Sequence, residues 1–131
     1  MSLAVATLAA FLGGIAGSAS RQLVGIAVEA AGGPDLVARM TVNVVGGLLA
    51  GAFLARREAD PERLGRLEPL VAAGFLGGFT TVAGYALDAS LAVDAARWAT
   101  LASLVAVDGA VGLLAAAFGH RLARGVASPA H

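Results

Sequence analysis

Gly74-Phe75-Leu76-Gly77-Gly78-Phe79-Thr80-Thr81 sits in the middle of a long apolar segment, and its reading decides how the rest of the chain is understood. Three glycines and two threonines in eight residues make a poor helix, since each glycine costs about 1 kcal/mol relative to alanine. A break is therefore expected there. Inside a bilayer, backbone groups freed by a break survive only where protein, water or an ion takes them up, which makes the stretch a candidate ion site. The plainer reading keeps the helix whole and uses the glycines only to admit another helix at close range.

Composition sets the class. The 131 residues are 58% hydrophobic and 14% charged, with mean hydropathy +0.81 and formal net charge zero. A soluble domain of this size does not look like that, so a membrane protein in contact with the lipid bilayer is expected. All nine basic residues are arginines. Neither a P-loop lysine nor a basic nucleic-acid patch is available, and nucleic acid is not an expected partner. The absence of cysteine excludes disulfides and thiolate chemistry. The first apolar run lacks the basic region of a signal peptide and reads as a retained span.

The expected fold is all-α: one transmembrane domain of four helices over residues 1–131, with the third helix broken at mid-membrane. The spans run from Leu3 to Val24, Leu36 to Leu54, Leu67 to Leu91 and Ala95 to Leu122, each close to the roughly 20 residues that cross about 30 Å of hydrocarbon. Gly32-Gly33-Pro34-Asp35, the charged stretch Arg56 to Arg66, and Asp88 to Arg97 connect them.

Polar residues inside such spans are the informative ones. Arg21 follows Gly13, Gly14 and Gly17 on the first span, and either snorkels to the interface or supplies positive potential at a pore mouth. Asn43, in Thr41-Val42-Asn43 ahead of Gly46 and Gly47, either bonds a neighbouring helix or donates its amide protons to a desolvated anion. Asp108 on the fourth span is a mid-membrane carboxylate, which costs about 2.5 to 3.5 kcal/mol on insertion scales and repels anions if ionised.

Gly13-Gly14-x-x-Gly17 with Arg21, Thr41-Val42-Asn43 followed by glycines, and Gly74-Phe75-x-Gly77-Gly78-x-Thr80-Thr81, in order on short spans, resemble the small bacterial fluoride channels called Fluc or CrcB. The resemblance implies an inverted, antiparallel dimer with two narrow pores along its interface. It also implies a structural Na+ at the centre, held by backbone carbonyls of Gly77 and Thr80 from each subunit. Fluoride in that family is lined by an Asn on the second span, hydroxyls on the third and fourth, and the edges of two phenylalanines, whose rims carry partial positive charge. Asn43 matches.

The rest of the lining departs from the family. After Thr80-Thr81 the family reads Phe-Ser-Thr-Phe, whereas this chain reads Val82-Ala83-Gly84-Tyr85. The resemblance thus puts Thr81, Val82 and Tyr85 along the pore with one ring where two are expected. Asp108, four residues before Gly112, stands where a pore serine is expected. It suits a pore that does not conduct; the alternatives are a structural carboxyl, neutral or hydrogen-bonded to Ser103 or to a partner chain, or a proton carrier.

With four spans, Arg56, Arg57, Arg63, Arg66, Arg121 and Arg124 fall on one side of the membrane, against Arg39, Arg97 and at most Arg21 on the other. The positive-inside rule then puts both termini in the cytoplasm and the chain in a bacterial cytoplasmic membrane. A chain that inserts both ways should carry little bias. The depleted lining and the bias together point to one half of a heterodimeric fluoride channel, exporting F− passively, with an oppositely oriented paralogue; a self-sufficient homodimer and a non-conducting structural subunit are the alternatives. A small multidrug exporter needs a carboxylate in the first span, and Leu3 to Val24 has none. An enzyme is not expected, because His120 and His131 have no nucleophile or carboxylate grouped with them at catalytic or metal-ligand spacing.

Overall fold

A computed structural model describes residues 1–80 and 95–127. Among these every element is helical: α1 (Leu3–Ala30), α2 (Asp35–Ala59), α3 (Pro61–Glu68), a π-helical segment (Pro69–Leu76), the single turn α4 (Gly77–Phe79), and α5 (Ala95–Ala127). Three helices are long and apolar enough to cross a membrane, namely α1, α2 and the Val105–Gly125 portion of α5.

The distribution of side chains is the reverse of that in a water-soluble protein. Leu3, Phe11, Leu113, Leu114 and Phe118 are exposed, whereas the buried apolar set consists of Ala38, Val42, Ala55, Leu76 and Phe79. Glycines such as Gly13, Gly17, Gly46, Gly47 and Gly51 are buried with these few apolar residues, while most large apolar side chains face outward, the pattern expected where the surrounding medium is itself apolar and helices associate by close packing rather than by expulsion of water. The chain is a membrane protein.

Two seams carry that packing. On the first, Gly13 lies against the Leu70 carbonyl, Gly14 against Gly78, and Gly17 against Phe75 and Phe79. On the second, Gly47 lies against Gly112 and Ala115, Gly51 against Ala116 and His120, and Gly119 against Leu48. Numbers rise together across both seams, so α1 is parallel to the α3-to-α4 run, and α2 is parallel to α5. The α1–α2 connection reverses the chain at Gly32, whose φ of 75° is the left-handed conformation that glycine adopts freely. Consequently the ends of α2 and α5 meet. His120 and Arg124 of α5 both reach Glu58 of α2, with His120 Nε2 at 3.1 Å and Arg124 Nη2 at 2.6 Å from Oε2.

Element boundaries differ from the sequence expectation in instructive ways. α1 continues to Ala30 rather than stopping at Val24, α2 to Ala59 rather than Leu54, and α5 to Ala127 rather than Leu122. The charged stretch expected to connect the second and third spans is almost wholly helical, with Asp60 the one residue between α2 and α3. Asp60 explains the sharp joint: its carboxylate accepts from the Arg63 N–H at 3.1 Å, and Pro61 starts the next helix where no N–H is needed. Arg57 and Glu68 then pair across the corner at 2.9 Å.

The decisive stretch shows both of the behaviours weighed for it. Gly74 and Gly78 do admit α1 at close range. The helical run nevertheless stops there, because Thr80 is extended, with φ −78° and ψ 151°. The irregularity begins earlier than the glycines suggest. Pro69 has no N–H to give to the preceding turn, and from it the helix widens to π geometry, so that the Gly77 N–H reaches back to the Ala72 carbonyl. The remainder of the expected third span, to Leu91, and the connection from Asp88 lie outside the described residues.

Because Gly17 is in backbone contact with Phe75 and Phe79, Gly17→Val is expected to destabilise the protein by about 1 to 3 kcal/mol. Gly25, whose added Cβ would meet open space, is the control: Gly25→Ala should leave the melting temperature in detergent unchanged or raise it slightly.

Candidate functional site

The turn of α2 from Val42 to Gly47 is where the two seams come together. Gly46 faces the third run: a Cβ built on it would lie 2.7 Å from Thr80 Cγ2 and 3.3 Å from Phe79 Cδ1. Gly47 faces α5, where its Cβ would lie 2.5 Å from the Gly112 carbonyl and 3.0 Å from Ala115 Cβ. Val42, one turn earlier on α2, is 2% exposed. Asn43 is half-buried one turn before Gly47, and its carbonyl lies 3.9 Å from a Cβ built on Gly112. The structure therefore brings Asn43, Thr80 and the Gly112 turn of α5 to one level.

Thr80 closes the helical run with both of its donors. Its N–H and its hydroxyl converge on the Leu76 carbonyl, at 2.9 Å and 2.8 Å. The hydroxyl proton is thereby used within the chain. Ser18 of α1 donates across the seam to the Gly78 carbonyl at 3.4 Å. Gly77 opens the single turn α4 and Thr80 follows it, so their carbonyls lie at the end of the described run. Oxygen donors of that type fit a hard cation.

Arg21 is one turn past Gly17 and Ser18 on α1, level with the end of the run, and is half-buried. Asp108 is 5% exposed. Ser103 has a polar or electrostatic partner of its own, but neither a hydrogen bond nor an ion pair is formed by Asp108 among the described residues. The expected Asp108–Ser103 bond is therefore not the one made, since residues five apart do not share a helix face. Thr81, Val82 and Tyr85 lie outside the described residues.

A groove of about 370 Å³ leads into this level from the arginine-rich end. It runs between α2 and the third run from Arg57 and Glu68, past Ala50 and Ala72, to Gly77 and Thr80. Its existence follows from the packing: α2 sits mainly on α5 and touches the third run sparsely.

Two features escaped sequence reasoning. Phe75 and Phe79 stack with centroids 5.7 Å apart and planes at 10°, and Phe79 is buried. Their spacing of four residues was the available signal. The Glu58–His120–Arg124 cluster joins residues some sixty positions apart, and no local pattern announces it.

The sequence profile of the family described as CrcB-like protein, Camphor Resistance (CrcB), matches residues 8–120. The chain belongs to the CrcB family. A protein named Fluoride-specific ion channel FluC from Ruegeria sp. (strain TM1040) is 35% identical over 117 residues, 88% of this chain and 91% of that protein. Fluoride-specific ion channel FluC 2 of Symbiobacterium thermophilum is 40% identical over 85 residues, 64% of this chain and 68% of its own. FluC 1 of Yersinia pseudotuberculosis is 30% identical over 117 residues, covering 85% and 89%. These CrcB relatives are ion channels, not enzymes.

The contact between Gly46 and Thr80 Cγ2 gives a paired test. Gly46→Ala is expected to cost about 1 kcal/mol or more in thermal unfolding. Adding Thr80→Ser, which removes Cγ2 but keeps a hydroxyl for the Leu76 carbonyl, should recover at least half of the loss.

Proposed function

We propose that this chain is a subunit of a fluoride-specific channel that lets F− leave the cytoplasm passively, and that it works as an antiparallel dimer with an oppositely oriented paralogue in the cytoplasmic membrane. The observation that carries the fluoride reading is the 35% identity to a fluoride-specific channel over 88% of the chain. Pairing with a paralogue is supported by charge. The parallel seams gather Arg56, Arg57, Arg63, Arg66, Arg121 and Arg124 at one end of the bundle, which favours a single orientation with that end, and both termini, in the cytoplasm. The numerals in the names of two relatives are what paired genes would carry.

In this reading the domain has four spans, the third interrupted at Thr80. Two such interruptions, one from each subunit, meet at the centre of the bilayer. Gly77 and Thr80 carbonyls from both would hold Na+, which supplies a fixed positive charge that ties the subunits together. Stripping fluoride of water is costly unless donors replace its shell. Asn43 supplies amide protons at the level where the seams converge, and Arg21 raises the local anion concentration at the far mouth. Thr81, Val82 and Tyr85 complete the lining, with the paralogue contributing the ring edges and hydroxyls that this chain lacks.

Fluoride efflux from liposomes, followed with a fluoride electrode, tests the pairing. The chain reconstituted with its paralogue should empty the vesicles, and the chain alone should not; rapid efflux from the single chain would establish a homodimer instead. Within the pair, Asn43→Leu should slow efflux by about tenfold or more, the loss expected when a buried charge-assisted donor is removed, without lowering the melting temperature by a comparable amount.

A further inference from the structure

Two grooves flank the sparse contact between α2 and the third run, and they differ in charge. Successive residues on a helix lie about 100° apart, so Ala50, Leu54 and Arg57 fall to one flank of Phe53, and Leu49, Ala52 and Arg56 to the other. Phe53 and Leu76 are common to both grooves. The groove described above has Arg57 and Glu68 at its mouth, 2.9 Å apart, and their charges cancel. The second groove, also about 370 Å³, has Arg56 at the same end. Arg56 is exposed, and among the described residues no carboxylate pairs with it. The hollow on the outer side of α3 sets Arg63 and Arg66 against Asp60 and Glu62, so Arg56 is the cation left over.

Below Arg56 the second groove is apolar. Leu49 and Phe53 of α2 form one wall, and Leu64, Leu67, Val71 and Phe75 form the other. Leu49 and Leu67 are exposed, so the groove opens sideways to whatever surrounds the bundle. Because α2 spans the bilayer, the groove runs along the membrane normal with its charged end at the interface. From Arg56 to Leu49 the helix rises about 10 Å, which is about two thirds of the depth of one leaflet. One negative head and one apolar tail match that geometry. A zwitterionic head would instead bring its own cation up to Arg56.

We propose that this groove holds one anionic phospholipid from the leaflet at the arginine-rich end, with its phosphate on Arg56 and one acyl chain between α2 and the third run. The chain supplies dispersion contacts where α2, committed to α5, touches the third run only sparsely. It thereby braces the π-helical segment Pro69–Leu76 from the side that α1 does not cover. Nothing in this depends on which ion the protein conducts.

The test uses the chain in detergent, alone and co-assembled with its paralogue, with phosphatidylglycerol and phosphatidylcholine of identical acyl chains supplied in competition. Retained lipid is counted by native mass spectrometry. One phosphatidylglycerol per chain should be kept, in about fivefold preference, the weight of one arginine near an anionic head. Arg56→Gln, which puts another good helix former at an exposed position, should abolish the preference. Arg121→Gln, outside the groove, should preserve it. Leu49→Trp fills the groove while leaving every arginine in place, and should lower phosphatidylglycerol retention. Equal retention of the two lipids, or equal losses from Arg56→Gln and Arg121→Gln, would overturn the proposal. So would unchanged retention in Leu49→Trp, or loss of the lipid on co-assembly, which would make the groove a subunit interface instead.

Discussion

Backbone-to-backbone contact between helices is the constraint on which this structure depends. In an apolar medium, burying leucine gains little, and helices hold together only where they approach closely enough for dispersion and polar backbone contacts to accumulate. Gly13, Gly17, Gly74 and Gly78 provide that approach on one seam, and Gly47, Gly51 and Gly119 on the other. Each seam joins helices that run in the same direction. Among the described residues, helices adjacent in sequence are therefore not each other's main partners: α1 packs on the third run and α2 on α5.

That arrangement leaves the interface between the pairs thinly packed, and the functional features collect there. The groove from Arg57 and Glu68 to Thr80 exists because α2 is committed to α5. The turn from Val42 to Gly47 touches both seams, so Asn43, Thr80 and the Gly112 turn share a level. A helix end is set beside it, since Pro69 loosens the third run into π geometry and Thr80 terminates it.

Polar groups are distributed unevenly around that place. At the arginine-rich end Glu58, His120, Arg124, Arg57 and Glu68 form a paired network outside the apolar stretches, which fixes the ends of α2 and α5 together and turns the chain tightly at Asp60. Deeper in, Thr80 spends its hydroxyl on the Leu76 carbonyl and Ser18 reaches the Gly78 carbonyl, so these residues shape the backbone rather than face a passenger. Asn43, half-buried, and Asp108, buried, are further polar side chains near that level among the described residues.

The sequence by itself determined the membrane class, the helical content, the location of the irregular stretch and the family, because hydropathy, glycine content and ordered motifs are local properties of the chain. It also marked Asn43, Thr80 and Asp108, since a polar residue in an apolar run stands out without any structure. Hydropathy marks spans and not helix ends: capping by Asp60 and Pro61 and the pairing of Arg57 with Glu68 carry helix through the charged stretch that connects the second and third expected spans. Only the tertiary structure decided that the two seams are parallel, that Phe75 stacks on Phe79, that Glu58 gathers His120 and Arg124, and that Asp108 is buried while Arg21 is half-exposed. These depend on which backbones approach one another across long stretches of sequence, and a glycine leaves room for a close neighbour without naming it.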